Sequence, residues 1–529
     1  LVALLWLLPA CQVRLPVTRW TGDASSEDAG PVDGKPITVD TGQPVTVPGL
    51  AVLTDTNRDG VVDGRDLQDF LDWSWKGSGA FLLANLDDDD RKGAVDTSDL
   101  IVNGRQDEDD LAPIVIQLDQ EILSKTIDVV VAVALGQERT HLFQKTSGGW
   151  VLASGVLSER SARMVLGIEA LQFADVDWDG FVVVSVEVLG PRQSNLASAQ
   201  VKMRVAPWLG QPNSAKTERL YISSTTSRLR PDLNKVLTSA GLPEALASSP
   251  PGQDLWFQDT MEVGYTQLPG RPPMHVALNA RRFDTADNLA ITLLAPDFGF
   301  VSVGQPRAPA NDLDYWMDWT GNIEMTPPVT GYPLGRILYG TNQRTTFHPS
   351  TLQFLEAQEV QKPLAVSVDW LPMQLVDQLV TFVPGKKGEA KLLVASLTAA
   401  QAITGTSLDS FKQQMQRGLD DVTSSLKGQL GLSDEDVIPL PASFAGIGAD
   451  YSSVWSNPVD AVYINGTLVV GATGTPANLK ADIEKRLNAI GVRVAWVDDS
   501  EYADWVGYVR SATNTSRTPL CANFADCLP

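Results

Sequence analysis

Between Asp55 and Asp66, side-chain oxygens recur at the first, third, fifth, ninth and twelfth places of one loop, on Asp55, Asn57, Asp59, Asp63 and Asp66. Gly60 at the sixth place permits a sharp turn, and the carbonyl of the seventh is a further donor. That density of hard oxygens is what calcium requires. The twelfth residue is an aspartate, with a shorter reach than glutamate. Flanking residues lack helical periodicity, so the spacing predicts the loop without the two helices that usually frame it. A second acidic set follows: Asn85, Asp87, Asp89 and Asp96, then Asp107 and Asp110. Carboxylates this dense repel one another unless a cation joins them, and calcium is expected here too. At extracellular calcium levels, even sites with a Kd of about 10⁻⁴–10⁻³ M would fill.

Other chemistry is bounded by what is scarce. Three cysteines and three histidines (His141, His275, His348) provide no pair or cluster with zinc spacing. Cys11 closes the apolar run 1–10, and Leu8-Pro9-Ala10-Cys11 resembles a bacterial lipobox. Residues 1–20 therefore read as a signal segment lipidated at Cys11, which predicts an exported chain anchored by lipid to a bacterial membrane or cell surface. The run is too short for a stable bilayer-spanning helix. Residues 21–48, rich in Gly, Pro, Ser and Asp, read as a tether. Cys521 and Cys527 could close a small disulfide loop in an exported protein, or remain two thiols. The net charge of -23 argues against nucleic acid and against electrostatic docking on anionic lipid. It suits calcium ions or arginine-rich peptides.

The elements that must position these residues fall into two stretches. A chain of 529 residues predicts two or three domains. From about residue 50 to 208, β-branched runs such as Ile114–Leu118, Ile127–Leu135 and Phe181–Leu189 are separated by turn residues, as in an all-β sandwich. Beyond Trp208, strand-like runs (Ile291–Leu294, Leu392–Ala395) alternate with helical patterns at Ser350–Val360, Leu408–Leu432 and Asn478–Ile490. That predicts an α/β region.

Motifs along most of the chain resemble the protein-arginine deiminases. An acidic loop, Trp73-Ser-Trp75-Lys-Gly77, an apolar strand and a second acidic loop come in the order of that family's calcium-binding middle domain. Arg204–Trp208 (RVAPW), Trp256–Tyr265 (WFQDTMEVGY), Ala295–Val301 (APDFGFV), Gly321–Val329 (GNIEMTPPV), Tyr332–Leu338, Val368–Pro384 and Gly431–Pro441 continue it. The resemblance covers residues 49–529 and implies an α+β multidomain fold. An immunoglobulin-like β-sandwich (49–206) would be followed by a five-fold pseudo-symmetric α/β propeller of the pentein type (207–529). The additional N-terminal β-domain of the animal enzymes would be replaced by the tether.

The family hydrolyses peptidyl-arginine to citrulline: two carboxylates clamp the guanidinium, a thiolate attacks its carbon, and a histidine moves protons. By resemblance, Asp259 and Asp377 are the clamp and Trp256 lies beside the substrate. Arg281 and Arg282 lie near an arginine that holds substrate backbone. Gln258, Glu262 and Glu324, with carbonyls near Thr320 and Ile323, match one calcium site, while Thr260 replaces a glutamate of the adjacent one. The chain departs from the pattern where chemistry is decided. Leu375, in Gln374-Leu-Val-Asp377, stands at the histidine position. Ser511, in Gly507-Tyr-Val-Arg510-Ser511-Ala-Thr-Asn514, stands at the cysteine position. Leucine transfers no proton, and serine needs a base. The expected protein is a calcium-binding pseudoenzyme whose partners are arginine-containing peptides or proteins. The alternatives are a guanidine hydrolase with altered chemistry at Ser511, and a calcium-stabilised surface scaffold.

Overall fold

The computed structural model describes residues 49–528 except 225, 249–255, 283–288, 305–314, 343–346, 372–374, 446–451 and 504–506. Signal segment, lipobox Cys11 and tether lie outside the described residues. The β-branched runs build two five-stranded sheets. One is ordered Leu50–Leu53, Ala112–Leu118, Arg163–Ala170, Thr140–Thr146, Gly149–Leu152. The other is ordered Ala80–Leu82, Asn195–Val205, Phe181–Leu189, Asp128–Leu135, Gly155–Val156. Period-two alternation turns Ile114 and Ile116 of the first sheet, and Val129, Val131, Val184 and Val186 of the second, into one shared core. Each such side chain contributes roughly 1.5–3 kcal/mol by leaving water. No helix flanks the loop of residues 55–66, as its sequence predicts.

After Trp208 one topology recurs in five sheets, each an antiparallel pair whose second strand also has a parallel neighbour. Met261–Gln267, Pro273–Ala280 and Phe298–Val303 form the first. Ile323–Met325, Ile337–Thr341 and Leu364–Ser367 form the second, and Val380–Pro384, Ala390–Ser396 and Val437–Pro441 the third. Val462–Ile464, Thr467–Gly471 and Arg493–Val497 form the fourth. The fifth joins the ends of this region: Thr513–Arg517 pairs antiparallel with Thr217–Ser223, which is parallel to Leu246–Ser248.

Parallel neighbours require a crossover. Helices Leu229–Ser239, Pro349–Ala357, Ser410–Leu430 and Ala477–Ala489 supply four of them. Ser410–Leu430 is the longest; Asp409 caps its first turn and Gly431, at φ 69°, ends it. Its inward stripe of Met415, Leu419, Val422, Leu426 and Leu430 is buried. The remaining crossover corrects the strand expected at Ile291–Leu294: Ala290–Leu293 is a 3-10 turn, with Thr292 Oγ1 donating to Leu289 O at 2.7 Å. Four apolar residues cannot declare their period. Their place between two parallel strands decides it.

Candidate functional site

Each of the five sheets is entered by a short turn, and those turns carry the site. The helical turn Phe257–Thr260 precedes the first sheet and bears Gln258 and Asp259; Glu262 is the second residue of the strand it leads into. Thr320–Asn322 leads into Ile323–Met325, which bears Glu324. Val376–Gln378, bearing Asp377, precedes the third sheet. Asp460 lies two residues before Val462–Ile464, and Ser511 two before Thr513–Arg517. Polar bonds tie neighbouring turns together. Asn322 Oδ1 accepts from Val376 N at 3.2 Å, Asn457 Nδ2 donates to Gln378 O at 2.9 Å, and Gln258 N donates to Ser511 O at 3.2 Å.

Asp259 and Asp377, read from sequence as a guanidinium clamp, both approach one glycine. A Cβ at Gly321 would stand 2.2 Å from Asp259 Oδ1 and 3.4 Å from Asp377 Oδ2, so both carboxylates press against this glycine. Burial, with Asp460, Asp259 and Glu324 as like charges, raises Asp377 well above the carboxylate range, and Arg510 opposes the shift. Neither Asp377 oxygen accepts a hydrogen bond among the described residues. A buried carboxylate in that condition suits a cationic, multi-donor ligand. Trp256 lies edge-on to Tyr502 at 5.6 Å and packs so closely on Gly507 that a Cβ there would meet the indole at 2.0 Å. Arg281 is exposed. Arg282 is buried, donating to Thr260 Oγ1 at 3.1 Å with its guanidinium 4.2 Å from the Trp319 ring.

The reactive positions read differently. Ser511 Oγ donates to Asp460 Oδ2 at 2.8 Å and Ser511 N to Asp460 Oδ1 at 3.1 Å. Burial pushes Asp460 up to about 6, against the pull of those two bonds and Arg510. Leu375 is buried and presents no proton-transfer group. All three histidines are engaged elsewhere: His141 with Glu169, His275 with Glu218, and His348 with Ser350. Two participants are absent from the sequence-based list. Asp460 lies 51 residues before Ser511, and no spacing rule links them. Arg510 is visible in its motif, but its role depends on where a long side chain reaches. Its Nη2 donates to Ile323 O at 2.7 Å, and its Nη1 lies 3.2 Å from Glu324 Oε2. Gln258 Nε2 bonds Glu262 and reaches Thr320 O at 3.4 Å.

Two oxygen clusters in the first half suit a hard divalent cation, namely Asp87, Asp89 and Asp110, and Asp88, Asp90 and Asp96. Burial raises Asp87 to about 8, Asp89 to about 6, Asp96 to about 7 and Asp107 to about 6, with neighbouring carboxylates adding to each. Asp110 is driven well above its ordinary range for the same reasons. Asn85 Oδ1, Asp87 Oδ1 and both Asp89 oxygens accept no hydrogen bond among the described residues, so the set fits an ion. Asp297, also missed from sequence, joins it from the second half, its N–H donating to Asp87 Oδ2 at 2.7 Å. In the earlier loop, Asp55 accepts from Asp59 N and Gly60 N, both at 3.0 Å, Arg65 pairs with Asp59 and Asp63, and Asp66 Oδ1 accepts from Thr56 N at 2.8 Å. Cys521 and Cys527 are joined, with Cα atoms 6.4 Å apart.

The family model for protein-arginine deiminase matches residues 195–406, and that for the protein-arginine deiminase middle domain matches residues 50–190. Protein-arginine deiminase type-1 of Mus musculus is 26% identical, over 92% of this chain and 83% of the relative. Protein-arginine deiminase type-4 of Homo sapiens is 26% identical, over 91% and 83%. Among solved structures, an agmatine deiminase of C. jejuni covers 60% of this chain and 98% of its own, at 13% identity and a TM-score of 0.40.

Proposed function

This chain belongs to the protein-arginine deiminase family, and from that premise we propose that it is a calcium-binding member that holds arginine side chains without hydrolysing them. The observation that carries this reading is the pair at the reactive positions. Ser511 is bonded to a buried carboxylate, and Leu375 stands where the family's proton-transfer histidine would be. Nucleophile and proton carrier act as a unit, so losing both costs many orders of magnitude in rate. Asp259 and Asp377 both approach Gly321, which supports their use as the paired carboxylates a planar guanidinium needs. Calcium would be held by Asp87, Asp89 and Asp110, supplying the positive charge these carboxylates share, with the Asp297 main-chain N–H bonded to Asp87. The first half is read as immunoglobulin-like, the five recurring sheets as a pseudo-symmetric propeller, and the whole as exported and lipid-anchored at Cys11. Its partners would be arginine-containing peptides or proteins.

One contact favours a second reading. A serine hydroxyl 2.8 Å from a carboxylate raised to about 6 is a nucleophile facing a weak base, as in a hydrolase of altered chemistry. Incubation with arginine peptides and calcium separates the readings, with citrulline scored by mass spectrometry and binding by calorimetry. The expected result is binding without citrulline, and loss of binding by at least tenfold in Asp259→Asn. Turnover abolished by Ser511→Ala would establish the hydrolase. Binding unaffected by Asp259→Asn would leave only a scaffold.

A further inference from the structure

Arg510 lines the pocket that also holds Gln258, Glu262 and Glu324. Its side chain is 12% exposed and lies among oxygens from the entries of three sheets. Nη2 donates to Ile323 O at 2.7 Å and lies 3.9 Å from Glu262 Oε2; Nη1 lies 3.2 Å from Glu324 Oε2; Nε lies 3.9 Å from Asp377 Oδ2. A main-chain carbonyl and two buried glutamates are donors a hard divalent ion would use, and the family resemblance assigns calcium to them. The residues present do not fit that ion. The Arg510 guanidinium already engages the oxygens of Ile323 and Glu324, and Gln258 directs its amide nitrogen at Glu262 and the Thr320 carbonyl. Gln258 Oε1 is turned away to accept from Asn514 Nδ2 at 3.2 Å.

We infer that Arg510 is the resident cation of this site in place of a divalent metal, so that the elements bearing Glu262, Glu324 and Asp377 are joined without one. A guanidinium suits the task because it is always charged, planar and rich in donors. Being covalently attached, it does not depend on metal concentration. It brings one positive charge where calcium brings two. Arg517 adds another: it is buried beside the same pocket and donates to Asn213 Oδ1 at 2.8 Å and Tyr463 O at 2.9 Å. At Thr260, where the resemblance places a neighbouring metal site, Arg282 is the cation instead. Calcium then acts on this protein through the acidic clusters of the first half and not through the pocket.

The test is the number of calcium ions bound per full-length chain, by calorimetry after chelator stripping, in wild type, Arg510→Ala and Arg510→Ala/Glu324→Gln. Arg510→Ala is expected to bind one more ion than wild type, and the double variant to lose it again. Equal stoichiometry in folded wild type and Arg510→Ala would overturn the inference. A second measurement needs no variant: hydrogen exchange of wild type in chelator and in calcium. Protection of residues 256–267 and 320–326 that is the same in both conditions supports Arg510 as the cation. Protection there that appears only with calcium refutes it. Neither readout depends on whether arginine peptides bind, so this inference and the proposed function fail separately.

Discussion

A hydroxyl attacks carbon only when something takes its proton, and the group facing Ser511 Oγ is the carboxylate of Asp460. Burial holds that carboxylate at about 6, above the ordinary aspartate value near 3.8. The unfolded chain ionises it first, so between about pH 4 and 6 the folded state binds more protons and stability falls as pH rises. The contribution is fully present below about pH 4 and is lost as pH rises through 6. Removing the charge in Asp460→Asn should flatten the dependence and raise stability at pH 7.5 by on the order of 2–3 kcal/mol, read as urea midpoints from pH 4 to 7.5. An unchanged profile would show that the carboxylate is not strained. Asp259, Asp377, Leu375 and Ser511 were legible as candidates because each sits inside a contiguous motif. Asp460 was not, because its meaning arises only when the fourth sheet is set beside the fifth.

At the scale of elements, the acidic segment of the first half is locked against the first of the five sheets. Gly299, in strand Phe298–Val303, packs so tightly that a Cβ would lie 2.3 Å from Leu86 O, and Asp297, at φ 59°, delivers its N–H to Asp87. A cation held by Asp87, Asp89 and Asp110 would therefore sit where two elements 210 residues apart in sequence meet. At 10–100 times its Kd, such an ion adds about 1.5–3 kcal/mol per site. Calcium in the millimolar range should raise the Tm at pH 7.5 and do so less at pH 5, where these carboxylates hold protons in place of the ion. Asp110→Asn should remove most of the gain, measured by differential scanning calorimetry with and without chelator. A Tm indifferent to calcium at pH 7.5 would mean that the cluster holds no ion. The oxygen pattern of this segment was readable in sequence, but the partner across the boundary was not: a lone aspartate in a turn has no spacing to announce it.

Across the whole molecule, periodicity showed where strands and helices lie but not how far one core extends. Phe181–Leu189 and Ser410–Leu430 were legible because length and alternation agreed, whereas Ile291–Leu294 was too short to choose a period. A boundary near 206/207 looks natural in sequence, since composition changes there. Physically the hydrophobic core runs through it: Val182, Val205, Trp208, Tyr265, Val276 and Phe354 belong to one buried cluster. Polar contacts follow the same path, with Trp208 N donating to Gln358 Oε1 at 3.0 Å and the Arg204 guanidinium pairing with Glu359 at 3.0 Å while stacked 4.6 Å from the Trp75 ring. The described residues accordingly group as one compact unit. Cutting between Ala206 and Pro207 would expose both faces of that core at once, beyond what either half could offset at the usual margin of about 5–15 kcal/mol. The intact chain should thus unfold in one calorimetric transition, with calorimetric and van't Hoff enthalpies agreeing, and residues 207–529 alone should be insoluble or molten. Two resolved transitions, or a well-folded isolated 207–529, would mean that the shared core does not couple the halves.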